Sequence, residues 1–342
     1  MPTAYVHIGL AKTGTTAIQR AAARLQDPLE AAGIRFLRSG RTDPQNGHHC
    51  LAWALRAVRP ANGACSPGTL DEVRAELAGL KGTDLDVLVS SEELSLSAYR
   101  PLELAALRDL FAGYRLCVIV YVREQVEFFN SFYVELIKSM LTAESVGECL
   151  DRLSREARYH YANWLTPWRG ACDELIVRPY DRPAFVRRSV LDDFFARVGY
   201  AGAMPKNLGH SNPALSATEV AALQRVMREL QESGITPETV PPARWRAVRA
   251  DVHAALKTAD LSGSGKYWGV PPNVTRTLRE TFRESNRAFF ADFTGEAYTF
   301  SGMDTVPPLN VATYQDVPAP VREALQGVVA TAREGGLRQR SA

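Results

Sequence analysis

The chain has 342 residues, 46% of them hydrophobic, and sets 40 Lys and Arg against 38 Asp and Glu for a formal charge of +2. That balance argues against a dedicated nucleic-acid or membrane-surface binder, and the length allows one large core or two smaller ones. The five cysteines, Cys50, Cys65, Cys117, Cys149 and Cys172, are widely spaced, odd in number and without a C-x-x-C pair. This argues against a disulfide framework or a zinc ribbon and points to a reducing compartment.

The first segment, AYVHIG (4–9), is apolar without polar alternation, and DVLVSS (86–91) and LCVIVYV (116–122) share that character. Such runs suit parallel strands buried on both faces of a sheet. IRFL (34–37) and ELIVRP (174–179) are shorter candidates. Helical patterns over 15–32, 69–80, 101–112, 124–140 and 184–198 alternate with these strands. The alternation predicts an α/β fold with a mainly parallel central sheet. Beyond about residue 200, helical segments (214–233, 241–258, 272–292) dominate, broken by Pro- and Gly-rich loops, and no internal repeat is present. The terminal TAREGGLRQRSA reads as a frayed polar tail. The N-terminus enters a strand at once, with no basic and apolar leader, and the longest apolar run is too short to span a bilayer. These features predict a soluble, cytoplasmic protein.

The first strand leads into HIGLAKTGTT, residues 7–16. Gly9 and Gly14 have the spacing of a nucleoside-triphosphate loop, G-x-x-x-x-G-K-S/T, but Thr15 stands where the lysine belongs and Lys12 lies inside the loop. A strand ending at Gly9 and a helix starting near Thr15 would aim backbone N–H groups and a positive helix end into the loop. Lys12 and the hydroxyls of Thr13, Thr15 and Thr16 add donors. A tight turn capped by threonine explains the glycines alone; the lysine with three threonines favours a phosphate site.

K-T-G-T-T directly after the first strand resembles the 5′-phosphosulfate loop of sulfotransferases that use 3′-phosphoadenosine 5′-phosphosulfate (PAPS). The resemblance implies a P-loop-like three-layer α/β/α fold. It also implies a 3′-phosphate site, made by an arginine ending a later core strand and a serine eight positions on. Arg123 follows LCVIVYV and Ser131 stands eight residues later, a little over two helical turns. The family often has proline shortly after the arginine; here Glu124 and Gln125 follow.

The strand ending VLVSSEELS (87–95) stands where the family presents a catalytic base. SSEEL resembles bacterial members related to carbohydrate and heparan-type sulfotransferases, with Glu92 the first choice for the base and Glu93 the second. A helix cap with acidic first-turn residues is the plain alternative. A base works best with its pKa near the working pH, so the site is expected to leave the carboxylate under-stabilised as an anion. In NGHHCLAWAL, His48 and His49 are candidates for active-site lining or an alternative base, or for helix-start structure; no zinc-spaced partners follow them. His7 reads as a core residue and Cys117 as a small hydrophobe.

LSGSGKYWG (261–269) precedes a helix containing RESNRAFFADF. Lys266 and Asn286 resemble the nucleotide-covering loop and helix asparagine of heparan-type enzymes, although flexible-linker composition explains GSG as well. SNPALS (211–216) resembles a family element and reads as a helix cap. The resemblance implies a sulfotransferase domain over 1–302, with an α/β core to about 200, a helical part covering acceptor and cofactor over 201–302, and an extension over 303–342. It implies PAPS as donor and 3′-phosphoadenosine 5′-phosphate (PAP) as product. Lys12 would neutralise the leaving phosphate, Thr13, Gly14, Thr15 and Thr16 would hold the 5′-phosphate, and Glu92 or His49 would take the acceptor proton. Arg123, Ser131 and Lys266 would hold the rest of the nucleotide. The acceptor would be a carbohydrate or a small natural product; no metal, nucleic acid or membrane span is implied. Two alternatives remain: a P-loop kinase using ATP and magnesium, and a non-catalytic relative that keeps the nucleotide pocket.

Overall fold

The computed structural model describes residues 1–43, 47–58, 65–205 and 214–340. All five predicted strands form: β1 (Thr3–His7), β2 (Ile34–Phe36), β3 (Asp86–Ser90), β4 (Arg115–Val122) and β5 (Glu174–Pro179). They pair in parallel in the order β2-β3-β1-β4-β5. Through β5 the helices are α1 (Thr15–Arg24), α2 (Gln26–Ala31), α3 (His49–Leu55), α4 (Thr69–Gly79), α5 (Pro101–Leu110), α6 (Gln125–Lys138), α7 (Val146–Leu153) and α8 (Tyr161–Ala171). After β5 come α9 (Val190–Arg197), α10 (Ala217–Glu232), α11 (Pro242–Leu256), α12 (Pro272–Thr294) and α13 (Ala319–Arg340).

Two helical patterns break where the backbone chemistry requires it. The run over 15–32 divides at Leu25, because Pro28 has no N–H to offer the carbonyl of Arg24. In the run over 184–198 only α9 is a regular helix. Arg187 and Arg188 before it have φ 51° and 57°, and Val186 N–H is tied to the buried carboxylate of Asp193 at 3.2 Å.

The chain forms two compact units: residues 1–125, 156–211 and 280–304, and residues 126–155, 212–279 and 305–342. The first contains the sheet. Ile18, Ala21 and Ala22 of α1, Leu29 of α2 and Phe194 and Phe195 of α9 pack on Leu88, Cys117, Ile119 and Tyr121. The alternate strand residues Val6, Val89, Val118 and Val120 are also fully buried, so both sheet faces are covered, as the apolar strand runs require. Helix α8 packs on β5 and on α5, α5 on α3, and α3 on α4. In the second unit α10, α11 and α13 pack on one another. Val321, Leu325 and Val329 are buried, and the backbone stays helical to Arg340 where the sequence suggested a frayed tail.

Cys50 and Cys65 form a disulfide, with Cα atoms 5.4 Å apart. This single pair counts against the expectation of a reducing compartment, while Cys117, Cys149 and Cys172 remain thiols. Parity and spacing carry no information about which two thiols the fold brings together, and the inference of a reducing, cytoplasmic compartment loses that support. Cys117 is buried in β4 and its thiol is pushed up to about 12 by burial, consistent with a packing role. Among the described residues no helix is long and apolar enough to cross a membrane.

Candidate active site

The loops after β1, β3, β4 and β5 all leave the carboxyl edge of the sheet. From β1 the chain leads toward β2, and from β4 toward β5, on the other side. Connections that diverge from neighbouring strands open a crevice at their carboxyl ends, where open α/β sheets bind ligands.

Two close contacts shape the loop after β1. A Cβ on Gly9 would stand 2.8 Å from the Thr15 methyl and 3.1 Å from the His7 ring, so only glycine fits. Gly14 has φ 81° and lies against Tyr180 and Val190. Lys12 is itself held at φ 66°, a region that costs an ordinary residue about 1–2 kcal/mol. Thr13 is buried and its hydroxyl donates to Leu10 O at 2.5 Å, so that hydroxyl closes the loop rather than facing outward. Gly14 O accepts from Ala17 and Ile18 N–H, which starts α1 without a side-chain cap. The amides of Thr15 and Thr16 therefore open the helix at the crevice, where the helix end carries partial positive charge.

Arg123 directly follows β4 and reaches this loop. Its guanidinium donates to Lys12 O at 3.2 Å and lies 5.6 Å from the centre of the Tyr180 ring. Tyr161 OH donates to the backbone carbonyl of Arg123. Glu124 and Gln125, found where proline was expected, are buried. Gln125 and Asn286 exchange two amide hydrogen bonds of 2.8 Å, which accounts for Asn286 as a brace at the start of α6. Tyr180 was not anticipated from the sequence. The only available signal was an aromatic immediately after a strand, which is too common to single out.

The chain after β3 places its two acidic residues differently. Glu93 Oε2 accepts from Trp53 Nε1 at 3.1 Å and lies 3.5 Å from Arg56 Nη1. Glu92 Oε2 accepts one hydrogen bond, from Gln19 Nε2 at 2.9 Å. Glu93 is thus tied to α3, whereas Glu92 is held from α1, the helix that begins after the β1 loop. Gln19 gave no sequence signal, because its partner lies 73 residues away.

The two histidines separate cleanly. His48 is fully buried; Ser90 N–H donates to its Nδ1 at 3.1 Å, and its Nε2 lies 3.0 Å from Leu37 O. The first bond requires an unprotonated Nδ1, so Nε2 carries the proton and the ring is neutral. Burial pushes its pKa down to about 3. His48 is structural. His49 is partly exposed on α3, with Nδ1 2.8 Å from Ser91 Oγ, one residue before Glu92. His7 is fully buried, pairs with Ser90 Oγ at 2.8 Å, and is likewise pushed down to about 3 by burial.

Ser131 and Lys266 belong to the second unit. There Asn130 Nδ2 donates to Tyr267 O at 3.3 Å and Asn130 Oδ1 accepts from Gly269 N–H at 3.0 Å. The loop carrying Lys266 is thereby joined to the helical turn carrying Ser131. Asn310 Nδ2 also donates to the carbonyls of Ser264 and Lys266 at 2.9 and 2.8 Å. The GSG segment is a pinned loop rather than a loose linker. Of SNPALS, residues 211–213 lie outside the described residues, and Ser216 caps α10.

No family model matches the chain. A curated protein of unknown function from Archaeoglobus fulgidus is 24% identical over 188 residues, 54% of this chain and 47% of its own length. The chain thus spans about half the length of the curated relative it matches. Among solved structures, a sulfotransferase from Alicyclobacillus acidocaldarius aligns over 86% of this chain and 96% of its own, at 14% identity and a TM-score of 0.39.

Proposed function

We propose that the chain is a sulfotransferase that takes PAPS as donor and moves its sulfuryl group to a hydroxyl or amine of a carbohydrate or small natural product. The observation that carries the reading is the joining of the Lys12 loop to Arg123 at the β1/β4 crevice, with Glu92 held from the same helix that the loop opens. The α1 amides and Thr16 would hold the 5′-phosphate. Arg123 with its planar guanidinium, together with Ser131, would hold the 3′-phosphate. Lys266 would bind from its pinned loop.

In the reaction, an acceptor oxygen or nitrogen forms a bond to sulfur as the bridging S–O bond to the 5′-phosphate breaks. Glu92 takes the acceptor proton, Lys12 balances the charge that grows on the departing phosphate, and PAP leaves. The protein's contribution is positioning and charge stabilisation. Of the two acidic residues, Glu92 suits the base role better than Glu93, because the latter is engaged by Trp53 and Arg56. No metal is needed, since the donor has no β,γ-diphosphate to bridge. A kinase would want its lysine where Thr15 stands.

The test is transfer of labelled sulfate from PAPS to a panel of sugars, phenols and amines. Transfer to at least one class is expected. Magnesium-dependent ATP turnover with no sulfate transfer would replace the reading with a kinase.

A further inference from the structure

We infer that Gln19 is a positioning residue that aims the Glu92 carboxylate, and that Gly47 holds the Gln19 amide in place. The inference rests on the sulfuryl-transfer reading above. Gln19 lies on α1, four residues after Thr15, so the two side chains share one helix face. One turn presents Thr15 to the loop and the next presents Gln19 to the carboxylate. Gln19 is 3% exposed, and its amide orientation is dictated by chemistry. Turned over, its oxygen would face Glu92 Oε2 at the observed 2.9 Å with no proton between two acceptors.

Glu92 needs such a partner. It lies just beyond the last ladder residue of β3, at the head of a 3-10 turn spanning Glu92–Tyr99, on a side chain with three rotatable bonds. A carboxylate free to sample its rotamers is rarely at the acceptor hydrogen, and ordering it costs conformational entropy. The Gln19 bond fixes Oε2 and leaves Oε1 without a partner among the described residues. Oε1 is then the atom presented to the acceptor.

The amide is walled in turn. A Cβ on residue 47 would stand 2.4 Å from Gln19 Nε2 and 2.5 Å from Ser90 O, so the bare backbone of Gly47 is what leaves room for the amide. That backbone is fastened beside β3, because His48 N–H donates to Ser90 O at 2.7 Å. Helix α1, the segment before α3 and the end of β3 thus converge on one amide group. Base and phosphate-type loop keep a fixed relation because both are set by α1, as a reaction dependent on alignment requires.

A double-mutant cycle tests this. Gln19→Leu should lower kcat about tenfold or more, a fraction of what a general base supplies, and leave KM for the donor unchanged. In a Glu92→Ala background the same substitution should change kcat by less than about twofold. An equal loss in both backgrounds would overturn the inference, since Gln19 would then act through the fold alone. If Gln19→Leu does not fold, Gln19→Asn, which keeps the donor but one methylene short, carries the same cycle. An activity-free arm separates this inference from the reading beneath it. The Gln19 side-chain amide NMR signal should shift on Glu92→Ala substitution whatever the site catalyses. An amide signal indifferent to Glu92 would overturn the inference and leave the sulfuryl-transfer reading standing. A coupled amide in a protein that transfers no sulfate would support the pairing and count against that reading.

Discussion

The guanidinium of Arg123 donates a hydrogen bond to the backbone carbonyl of Lys12 across 111 positions of sequence. The chain directly after β4 thereby braces the loop that follows β1. Arg123 also lies over Tyr180, and Tyr180 packs on Gly14, so the brace includes the turn that opens α1.

This brace separates charge from backbone shape at Lys12. Lys12→Gly relieves the positive φ and removes the ammonium. We expect a melting temperature within a few degrees of the parent and a loss of transfer of about a hundredfold or more, the scale of removing one charge-stabilising group. Transfer assays with melting curves check this; a variant that keeps its rate would remove Lys12 from the chemistry.

Ser131 offers a probe of the proposed 3′-phosphate site that leaves the brace untouched. Ser131→Ala should weaken PAP binding by about 1 kcal/mol, roughly fivefold, and leave adenosine 5′-monophosphate binding unchanged. Calorimetry on the two nucleotides decides it. Equal loss for both would assign Ser131 a structural role in α6.

Glu92 and Glu93 should diverge on substitution. Glu92→Gln should slow transfer by about 10²- to 10⁴-fold with PAP affinity intact. Glu93→Gln should keep most of the rate and cost under about 1 kcal/mol of stability through its contacts with Trp53 and Arg56. A reversal of the two kinetic effects would move the base to Glu93.

The buried histidines predict an acid limb of stability. His7 and His48 have pKa values lowered by burial from 6.5 to about 3. They stay neutral in the fold and take up protons on unfolding, so their contribution is present above pH 6.5 and is lost as the pH falls toward 3. Each proton adds a slope of up to about 1.4 kcal/mol per pH unit. Denaturant melts between pH 7 and 4 should steepen accordingly, and His48→Gln should flatten the limb by about half.

Much of the frame was readable because it depends on local pattern. Apolar runs announced β1, β3 and β4, shorter segments with charged residues in them suggested β2 and β5, and the glycine spacing of residues 9–14 marked the loop. The same pattern hid what depends on distance. Gln19 and Glu92 are far apart in sequence, as are Asn130 and Gly269, and neither pair leaves a periodic trace. Cys50 and Cys65 are 15 residues apart, yet nothing in that interval reveals that α3 presents one thiol to the other. The histidine pair was legible only as a pair; burial, not spacing, made His48 structural and left His49 partly exposed.

The central claim is that the crevice is fitted to a 3′,5′-bisphosphorylated adenosine. Its most direct test compares melting temperatures with PAP and with ATP plus magnesium. A ligand at a hundred times its dissociation constant adds about 2.7 kcal/mol, a rise of a few degrees for a chain of this size. We predict that rise with PAP, none with ATP and magnesium, and its disappearance in Arg123→Ala. A rise with ATP and magnesium and none with PAP would contradict the account.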